Sequence, residues 1–321
     1  MDAERRQARA EKLRREAERR WQKLAREHPE LATTVAFGRG LVARYIDDLP
    51  RAAPLALTAE EAREKLAAGV PLLEGLELDL DLPGLRRFFV GLCAWVREGS
   101  EASGQAGEGS VGAGETEWIE ESVRTGALVV EDLVAASLAG EDGAIEAAAA
   151  RLEVSPALLR TLTGFTVSAG LMETARALQP VLDEALRDGA EWLEGSCPIC
   201  GGAPLLAELQ GSEGRRVLRC AACGAGWKYP RTRCAHCGNE DQRTLHYLAA
   251  EEQAEKYRVD LCDRCHGYLK SVTSFEPTPA ELLTIEDAAL LHLDALARER
   301  GYTATPEVAE VTDEAEASRR R

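Results

Sequence analysis

The sequence that decides the C-terminal fold is a set of four Cys-x-x-Cys pairs: Cys197-Pro-Ile-Cys200, Cys220-Ala-Ala-Cys223, Cys234-Ala-His-Cys237 and Cys262-Asp-Arg-Cys265. Two thiolates separated by two residues bind one ion from a tight turn, called a knuckle. Two knuckles complete the tetrahedral sulfur shell that Zn²⁺ or a single iron accepts. Eight of the nine cysteines therefore predict two four-thiolate metal sites.

The gaps between successive pairs are 19, 10 and 24 residues, and they indicate which pairs share an ion. The first gap is long enough for a hairpin with strands at 205–209 and 217–218, and the third for strands at 245–249 and 257–261. We therefore predict one site from the first two pairs and one from the last two. A cross-braced arrangement, with the first pair beside the third and the second beside the fourth, remains the alternative. The predicted ligands are Cys197, Cys200, Cys220 and Cys223 in site 1, and Cys234, Cys237, Cys262 and Cys265 in site 2.

Glycine follows three of the pairs, as Gly201, Gly224 and Gly238, and permits a turn with positive φ. The fourth pair departs from this pattern, because His266 precedes Gly267. Disulfides are disfavoured because nothing in the sequence directs secretion, and a redox pair would need a single Cys-x-x-Cys beside a βαβ pattern. An iron–sulfur cluster is less compatible with paired knuckles than mononuclear sites are.

The rest of the chain is rich in alanine, leucine and glutamate, with aromatic residues at only 5%, which favours helices. The predicted fold is a mainly α N-terminal domain, two tandem zinc-ribbon modules and a C-terminal helix. Its divisions are a charged exposed helix (1–28), an irregular helical domain (29–195) with a flexible loop (99–114), two four-cysteine ribbons (196–232 and 233–270), a C-terminal helix (271–302) and a disordered tail (303–321). We expect a cysteine-to-serine change to unfold one ribbon and leave the helical domain intact.

The formal charge of −16 disfavours nonspecific nucleic-acid binding by the whole chain. The cysteine-rich part is an exception, because residues 197–270 carry a small net positive charge of about +2. No apolar run approaches the ~20 residues that a membrane span needs. The paired arginines near the N-terminus are not followed by an apolar segment, as an export signal would require. These features predict a cytoplasmic protein.

Motifs for enzymatic chemistry are not recognisable in the sequence. There is no identifiable Ser/His/Asp order, phosphate-binding glycine loop or H-E-x-x-H motif. Four thiolates per ion also leave no open coordination position for a catalytic water. The ninth cysteine, Cys93, lies in an apolar helical segment and predicts a buried, unreactive thiol. His236 lies inside a knuckle and is expected to point outward.

Five segments resemble the formate dehydrogenase accessory protein family, FdhE. They are Trp192-Leu-Glu-Gly-Ser-Cys-Pro-Ile-Cys-Gly201, Leu218-Arg-Cys-Ala-Ala-Cys-Gly-Ala-Gly-Trp227, Arg233-Cys-Ala-His-Cys-Gly238, Leu261-Cys-Asp-Arg-Cys-His-Gly-Tyr-Leu-Lys270 and Gly301-Tyr302. The resemblance implies rubredoxin-like modules that can carry iron. It also implies a non-catalytic cytoplasmic maturation factor that contacts the catalytic subunit of a respiratory formate dehydrogenase before export.

If the resemblance holds, we expect the ribbons to present a surface to the client subunit. The candidate contact residues are Trp227, His266, Tyr268 and Lys270, because they flank knuckles and ribbon edges are commonly exposed. Two alternatives remain open. One is nucleic-acid binding through a basic cluster with Trp227 and Tyr229 interleaved; its cations are Arg215, Arg216, Arg219, Lys228, Arg231 and Arg233. The other is an iron redox protein. The sequence does not distinguish iron from zinc.

Overall fold

The computed structural model describes residues 3–51, 55–102, 113–187, 191–250 and 254–306. Its N-terminal part is helical. The helices are α1 (Ala3–Glu27), α2 (Ala32–Asp47), α3 (Ala59–Ala67), α4 (Leu82–Ala102), α5 (Ala113–Thr125), α6 (Val130–Ala139), α7 (Asp142–Leu152) and α8 (Pro156–Ala185). Local signals account for two of the starts. Thr58 and Glu61 form a reciprocal capping box on α3, and Ser155 caps α8 with Pro156 at its first position.

Helical periodicity in the sequence predicts helices over 115–139, 156–171 and 173–187, and the structure differs from this prediction in two places. A single helical pattern over 115–139 is in fact two helices, α5 and α6, which are separated at Gly126, where φ is +79°. Patterns at 156–171 and 173–187 belong to the one long helix α8, which continues through Pro180. The flexible loop predicted for 99–114 is too long, since α4 extends to Ala102 and α5 begins at Ala113. Residues 103–112 lie outside the described residues.

The cysteine-rich part folds as a mixed sheet. Its strands are β1 (Pro204–Gln210), β2 (Arg215–Cys220), β3 (Gly226–Lys228), β4 (Leu245–Leu248), β5 (Tyr257–Cys262) and β6 (Gly267–Ser274). Their order across the sheet is β3-β2-β1-β6-β5-β4. The two predicted hairpins are β1–β2 and β4–β5, and both are antiparallel. They are not adjacent, because β6 lies between β1 and β5.

The two ribbons are not separate modules, because β1 and β6 pair in parallel from Leu206 opposite Lys270 to Gln210 opposite Ser274. This pairing corrects the predicted division of 196–232 from 233–270. The strand β6 also continues past residue 270 into the segment assigned to the C-terminal helix. Both cysteine groups are thus attached to a single continuous sheet.

The N-terminal helix α1 is docked rather than exposed, which corrects the prediction for residues 1–28. Its buried stripe is Leu13, Ala17, Trp21 and Leu24. This stripe packs in one cluster with residues of α2, of the sheet and of the C-terminal helices. A stripe at helical spacing can be buried even when charged residues dominate the rest of the helix.

The C-terminal helical segment is divided into a 3₁₀ turn (Ala280–Leu282), α9 (Leu283–Ala289) and α10 (Leu291–Glu299). The predicted disordered tail begins too early. Thr303 forms a parallel bridge with Gly267, and its N–H donates to the carbonyl of His266 at 2.8 Å. Residues 307–321 lie outside the described residues.

The predicted fold class is confirmed: a helical N-terminal region precedes a sheet with two four-cysteine groups and C-terminal helices. None of the described helices combines the length and the apolar character that crossing a bilayer requires.

Candidate metal centres

Three of the four Cys-x-x-Cys pairs share one backbone turn. In the first, Gly201 N–H donates to the carbonyl of Cys197 at 2.8 Å, and Ile199 N–H points at Cys197 Sγ at 3.4 Å. The same two contacts recur at Cys220 and at Cys234. The glycine after each pair has a positive φ of 67° to 76°, as its position in the turn requires. The sequence pattern therefore encodes this local geometry.

The fourth pair follows β5 and makes the same left-handed turn without glycine. His266 adopts a φ of +52° and is exposed. Its ring lies 5.9 Å from the ring of Tyr302, centroid to centroid. The departure from glycine noted in the sequence therefore changes the residue type but not the turn.

Site 1 gathers the first two pairs. Cys197 Sγ lies 3.7 Å from Cys223 Sγ, and Cys200 Sγ lies 3.5 Å from the sulfurs of Cys220 and Cys223. Three of these cysteines are almost completely buried, and Cys200 is half-buried.

Site 2 gathers the last two pairs. Cys234 Sγ lies 3.8 Å from Cys265 Sγ, and Cys237 Sγ lies 3.8 Å from Cys262 Sγ. Asn239 is 5% exposed and directs its side-chain Nδ2 at Cys262 Sγ over 3.5 Å. Asn239 was not among the residues predicted for the site. The one local indication of its role is that an amide side chain directly follows the Cys-x-x-Cys-Gly turn.

Neighbouring pairs thus come together, and not alternate ones. In each group all four sulfurs lie within 4.8 Å of one another. A metal–sulfur bond of about 2.3 Å in a regular tetrahedron places the sulfurs about 3.8 Å apart. The observed separations of 3.5–3.8 Å fit that requirement. The groups suit zinc or a single iron equally well, and four thiolates complete the shell.

Without an ion, the thiols of each group share protons. A hydrogen bond from Cys265 lowers the pKa of Cys234 to about 4, whereas burial raises the pKa of Cys237 to about 11. In site 1, hydrogen bonds from the neighbouring thiols lower the pKa of Cys220, and those of Cys197 and Cys223 are raised. The lowered pKa values make Cys220 and Cys234 the more acidic thiols of their groups. Because the metal ligand is a thiolate, binding an ion releases protons.

The two sites have different surroundings. The first knuckle is joined to the helical domain, because Leu72 and Leu73 donate to the carbonyls of Pro198 and Ile199 at 2.8 and 2.9 Å. The cysteines Cys197, Cys220 and Cys223 also belong to the same apolar cluster as the helical core. None of the four cysteines of site 2 belongs to either apolar cluster, although Ala235 of the third knuckle belongs to the first cluster and Leu261 to the second.

The four predicted contact residues do not form one exposed surface. Trp227 and Tyr268 are 2% and 1% exposed, and the Tyr268 hydroxyl donates to Asp294. The Lys270 ammonium forms an ion pair with Asp287, and its side chain is 11% exposed. Only His266 is freely accessible. Trp227, Tyr268 and Lys270 are therefore poor candidates for client contact, since the sheet buries them against the helices.

His236 also differs from its prediction. It is half-buried, and its Nε2 lies 3.0 Å from the carbonyl oxygen of Tyr268, so it links the third knuckle to β6. The thiol of Cys93 is fully buried in α4 as expected, and burial raises its pKa to about 12.

Three of the six cations in the basic cluster form ion pairs with carboxylates of the same chain. Arg219 forms an ion pair of 2.7 Å with the buried Glu208, and Arg216 lies 3.5 Å from Asp260. Arg233 pairs with Glu240 at 2.8 Å. The other three cations, Arg215, Lys228 and Arg231, are exposed and form no ion pair within the described ranges.

Parts of the chain are similar in sequence to known proteins. Residues 232–307 match the family model described as FdhE, C-terminal domain. This matched range contains all four cysteines of site 2. The "Protein FdhE homolog" of Aquifex aeolicus is 31% identical over 132 residues, which are 39% of this chain and 46% of that protein. "Protein FdhE" of Escherichia coli is 32% identical over 108 residues, which are 33% of this chain and 34% of that protein.

The chain spans less than half of the length of these curated relatives. Among solved structures, the crystal structure of the FdhE protein from Pseudomonas aeruginosa is similar with a TM-score of 0.48 and 24% sequence identity. That likeness covers 91% of this chain and 92% of the other.

Proposed function

We propose that the protein is an accessory factor for a formate dehydrogenase. The proposal is supported by the match of residues 232–307 to the FdhE C-terminal domain and by the similarity to curated FdhE homologues. The client of this factor is the catalytic subunit, which it binds in the cytoplasm during maturation and before export. The factor acts by binding and not by catalysing a reaction.

The observation that carries the proposal is the pair of four-sulfur groups on one sheet. Four thiolates saturate a tetrahedral ion, so neither group retains an open position for substrate or water. Ions held in this way stabilise a fold and supply a rigid frame. Because β1 and β6 join the two groups, both ions stiffen the same sheet. Such a frame suits the recognition of an incompletely folded client.

The test is co-purification of the full-length protein with the catalytic subunit from the same cell. We expect the metal-loaded protein to retain the cofactor-free subunit, and we expect a deletion strain to lose formate oxidation while the subunit is still made. Normal formate oxidation in the deletion strain would contradict the proposal.

The redox alternative has one observation in its favour. Cys237 and Cys265 of site 2 are only half-buried, so an ion there lies close to the surface, as electron exchange requires. Protein purified without oxygen should show a visible thiolate–iron absorption band that dithionite bleaches. A colourless protein with two zinc ions per chain would exclude this role.

Nucleic-acid binding is less well supported. Three of the six cations in the predicted basic cluster form ion pairs with carboxylates of the same chain, and the whole chain is strongly acidic. True phosphate contacts would weaken steeply between low and physiological salt, and a mobility shift without that dependence would not support them.

A further inference from the structure

An open strand edge lies in a large cleft between α8 and the sheet. The strand β3 is the end of the sheet order, so one side of its backbone faces no other strand. The cleft has a volume of about 1120 Å³ and runs between the C-terminal half of α8, Trp192, β2, β3 and the segment Pro277–Ala280. An edge strand presents free N–H and C=O groups that can pair with another extended chain.

The register of β3 shows which backbone groups face the cleft. Ala225 and Tyr229 are hydrogen-bonded to β2 through Cys220 and Arg216, and Trp227 lies opposite Leu218 between them. Hydrogen-bonded and non-bonded pairs alternate in an antiparallel ladder. The N–H and C=O groups of Gly226 and Lys228 therefore point away from β2.

A side chain of α8 already imitates a pairing strand at one of these positions. The Gln179 amide donates to the Gly226 carbonyl at 3.0 Å and accepts from the Gly226 N–H at 3.3 Å. These are the two bonds that a peptide group of a neighbouring strand would form. At Lys228, in contrast, neither backbone group is bonded to another described residue.

The charge of the cleft selects the occupant. Arg215, Lys228 and Arg231 line it as exposed cations that have no carboxylate partner within the described part of the chain. Two carboxylates also line the cleft, Glu191 and Asp183, and the second accepts a hydrogen bond from the Gln179 amide at 3.0 Å. Three unpaired cations beside an open edge are complementary to an acidic, extended chain.

We propose that β3 and this cleft bind an acidic, extended segment of a partner polypeptide, which adds a strand to the sheet at Gly226 and Lys228. The segment displaces the Gln179 amide from Gly226, and its carboxylates face Arg215, Lys228 and Arg231. Main-chain pairing supplies the affinity and the cations supply the preference for acidic sequences. The proposal rests on the accessory function above only in naming the client subunit as the source of the segment.

Two substitutions at one residue separate backbone pairing from charge. The change Lys228→Thr removes the ammonium group and keeps the N–H. The change Lys228→Pro removes both, and it leaves the bonds to β2 intact because that N–H points away from β2. A third variant, Gln179→Ala, removes the competing amide.

The probes are a short fluorescent peptide that alternates glutamate with threonine, its lysine counterpart, and overlapping peptides of the formate dehydrogenase catalytic subunit. We expect the metal-loaded protein to bind the glutamate peptide and not the lysine peptide. Lys228→Pro should bind about fivefold more weakly than Lys228→Thr, and Gln179→Ala about fivefold more tightly than wild type, the effect of one hydrogen bond. The opposite sign of the last change cannot come from misfolding.

Equal binding by Lys228→Pro and Lys228→Thr, or no binding of the glutamate peptide by wild type, would overturn the proposal. So would complete displacement of the peptide by a short oligothymidylate, which would identify nucleic acid as the ligand. If the glutamate peptide binds as expected but no peptide of the catalytic subunit does, the cleft binds acidic extended chains and the catalytic subunit is not their source.

Discussion

At the scale of single residues, His266 shows how a knuckle tolerates a side chain at a position that favours glycine. Its φ of +52° lies in the left-handed region, which costs an ordinary L-residue roughly 1–2 kcal/mol. The backbone carbonyl of His266 accepts a hydrogen bond from Thr303 N–H, and its ring lies near the ring of Tyr302. The strand pairing and the residues after α10 thus impose the turn.

This conformation predicts opposite outcomes for two substitutions. We expect His266→Gly to leave the free energy of unfolding unchanged or to raise it by up to about 1 kcal/mol, because glycine adopts positive φ without strain. We expect His266→Val to lower it by about 1–2 kcal/mol, since a β-branched residue is especially disfavoured there. Thermal unfolding and metal content per chain measure both effects. Equal stability of the two variants would show that the turn is not strained.

At the scale of elements, the docking of α1 depends on close packing against α2. Trp21 is 1% exposed and lies over Gly38, where an added Cβ would come within 2.3 Å of its Cη2 atom. The close approach of the two helices therefore needs a residue without a side chain at position 38.

A matched pair of glycine substitutions tests this contact. Gly38→Ala should lower the free energy of unfolding by about 1–3 kcal/mol, because the indole must shift in a filled core. Gly164→Ala is the control: Gly164 is in α8 with no atom within 4 Å of an added Cβ, so alanine should raise stability by up to about 1 kcal/mol. Denaturant unfolding measures both. A neutral Gly38→Ala would mean that α1 is not held in this position.

A buried carboxylate also attaches α1. Glu281 is fully buried and accepts hydrogen bonds from Arg9 at 2.6 Å and from Arg176 at 2.7 Å, so it joins α1 and α8 to the C-terminal segment. Burial by itself raises the pKa of Glu281, but the hydrogen bond from Arg9 and the charges of Arg176 and Arg9 outweigh it. The pKa is therefore lowered.

The lowered pKa predicts an acid-sensitive contact. An unfolded glutamate has a pKa of about 4.3, so the stabilisation is fully present above that pH and is lost as pH falls through the lower folded value. We expect the protection of α1 amides, measured as their exchange rate relative to that of an unstructured chain at the same pH, to fall below about pH 4.3 in the wild type. Glu281→Gln should weaken α1 docking at neutral pH and lose the added acid dependence. The same acid response in this variant would assign it to other carboxylates.

At the scale of the whole molecule, the two sites are not equivalent. Site 1 is bonded to Leu72 and Leu73, and three of its cysteines belong to the apolar core of the helices, whereas no cysteine of site 2 belongs to an apolar cluster. A structural zinc site in small peptides contributes about 10–16 kcal/mol on binding, which is comparable with the stability of an entire domain. Loss of site 1 therefore affects the helical domain as well.

This asymmetry replaces the expectation that the helical domain survives either cysteine change. Cys197→Ser should release one ion and lower the thermal unfolding temperature of the helices. Far-UV circular dichroism measures that temperature. Cys262→Ser should also release one ion but leave the second ion and most of the helical signal in place. Equal loss of helical signal in both variants would contradict the difference between the sites.

The knuckles, their grouping into neighbouring pairs and the four main hairpin strands were predictable from the sequence. All of these depend on residues close together in the chain, where spacing and a glycine with positive φ specify a turn. The helix starts at Thr58 and Ser155 were predictable for the same reason, because a cap is a local hydrogen bond.

Which surfaces are free could not be predicted, because it depends on contacts between distant parts of the chain. The parallel pairing of β1 with β6, the burial of Trp21 and the burial of Trp227 and Tyr268 join segments far apart in the chain. Such contacts leave no local pattern, because an aromatic residue beside a knuckle reads the same whether the sheet covers it or exposes it. The open edge of β3 follows from strand order, which spacing alone does not specify.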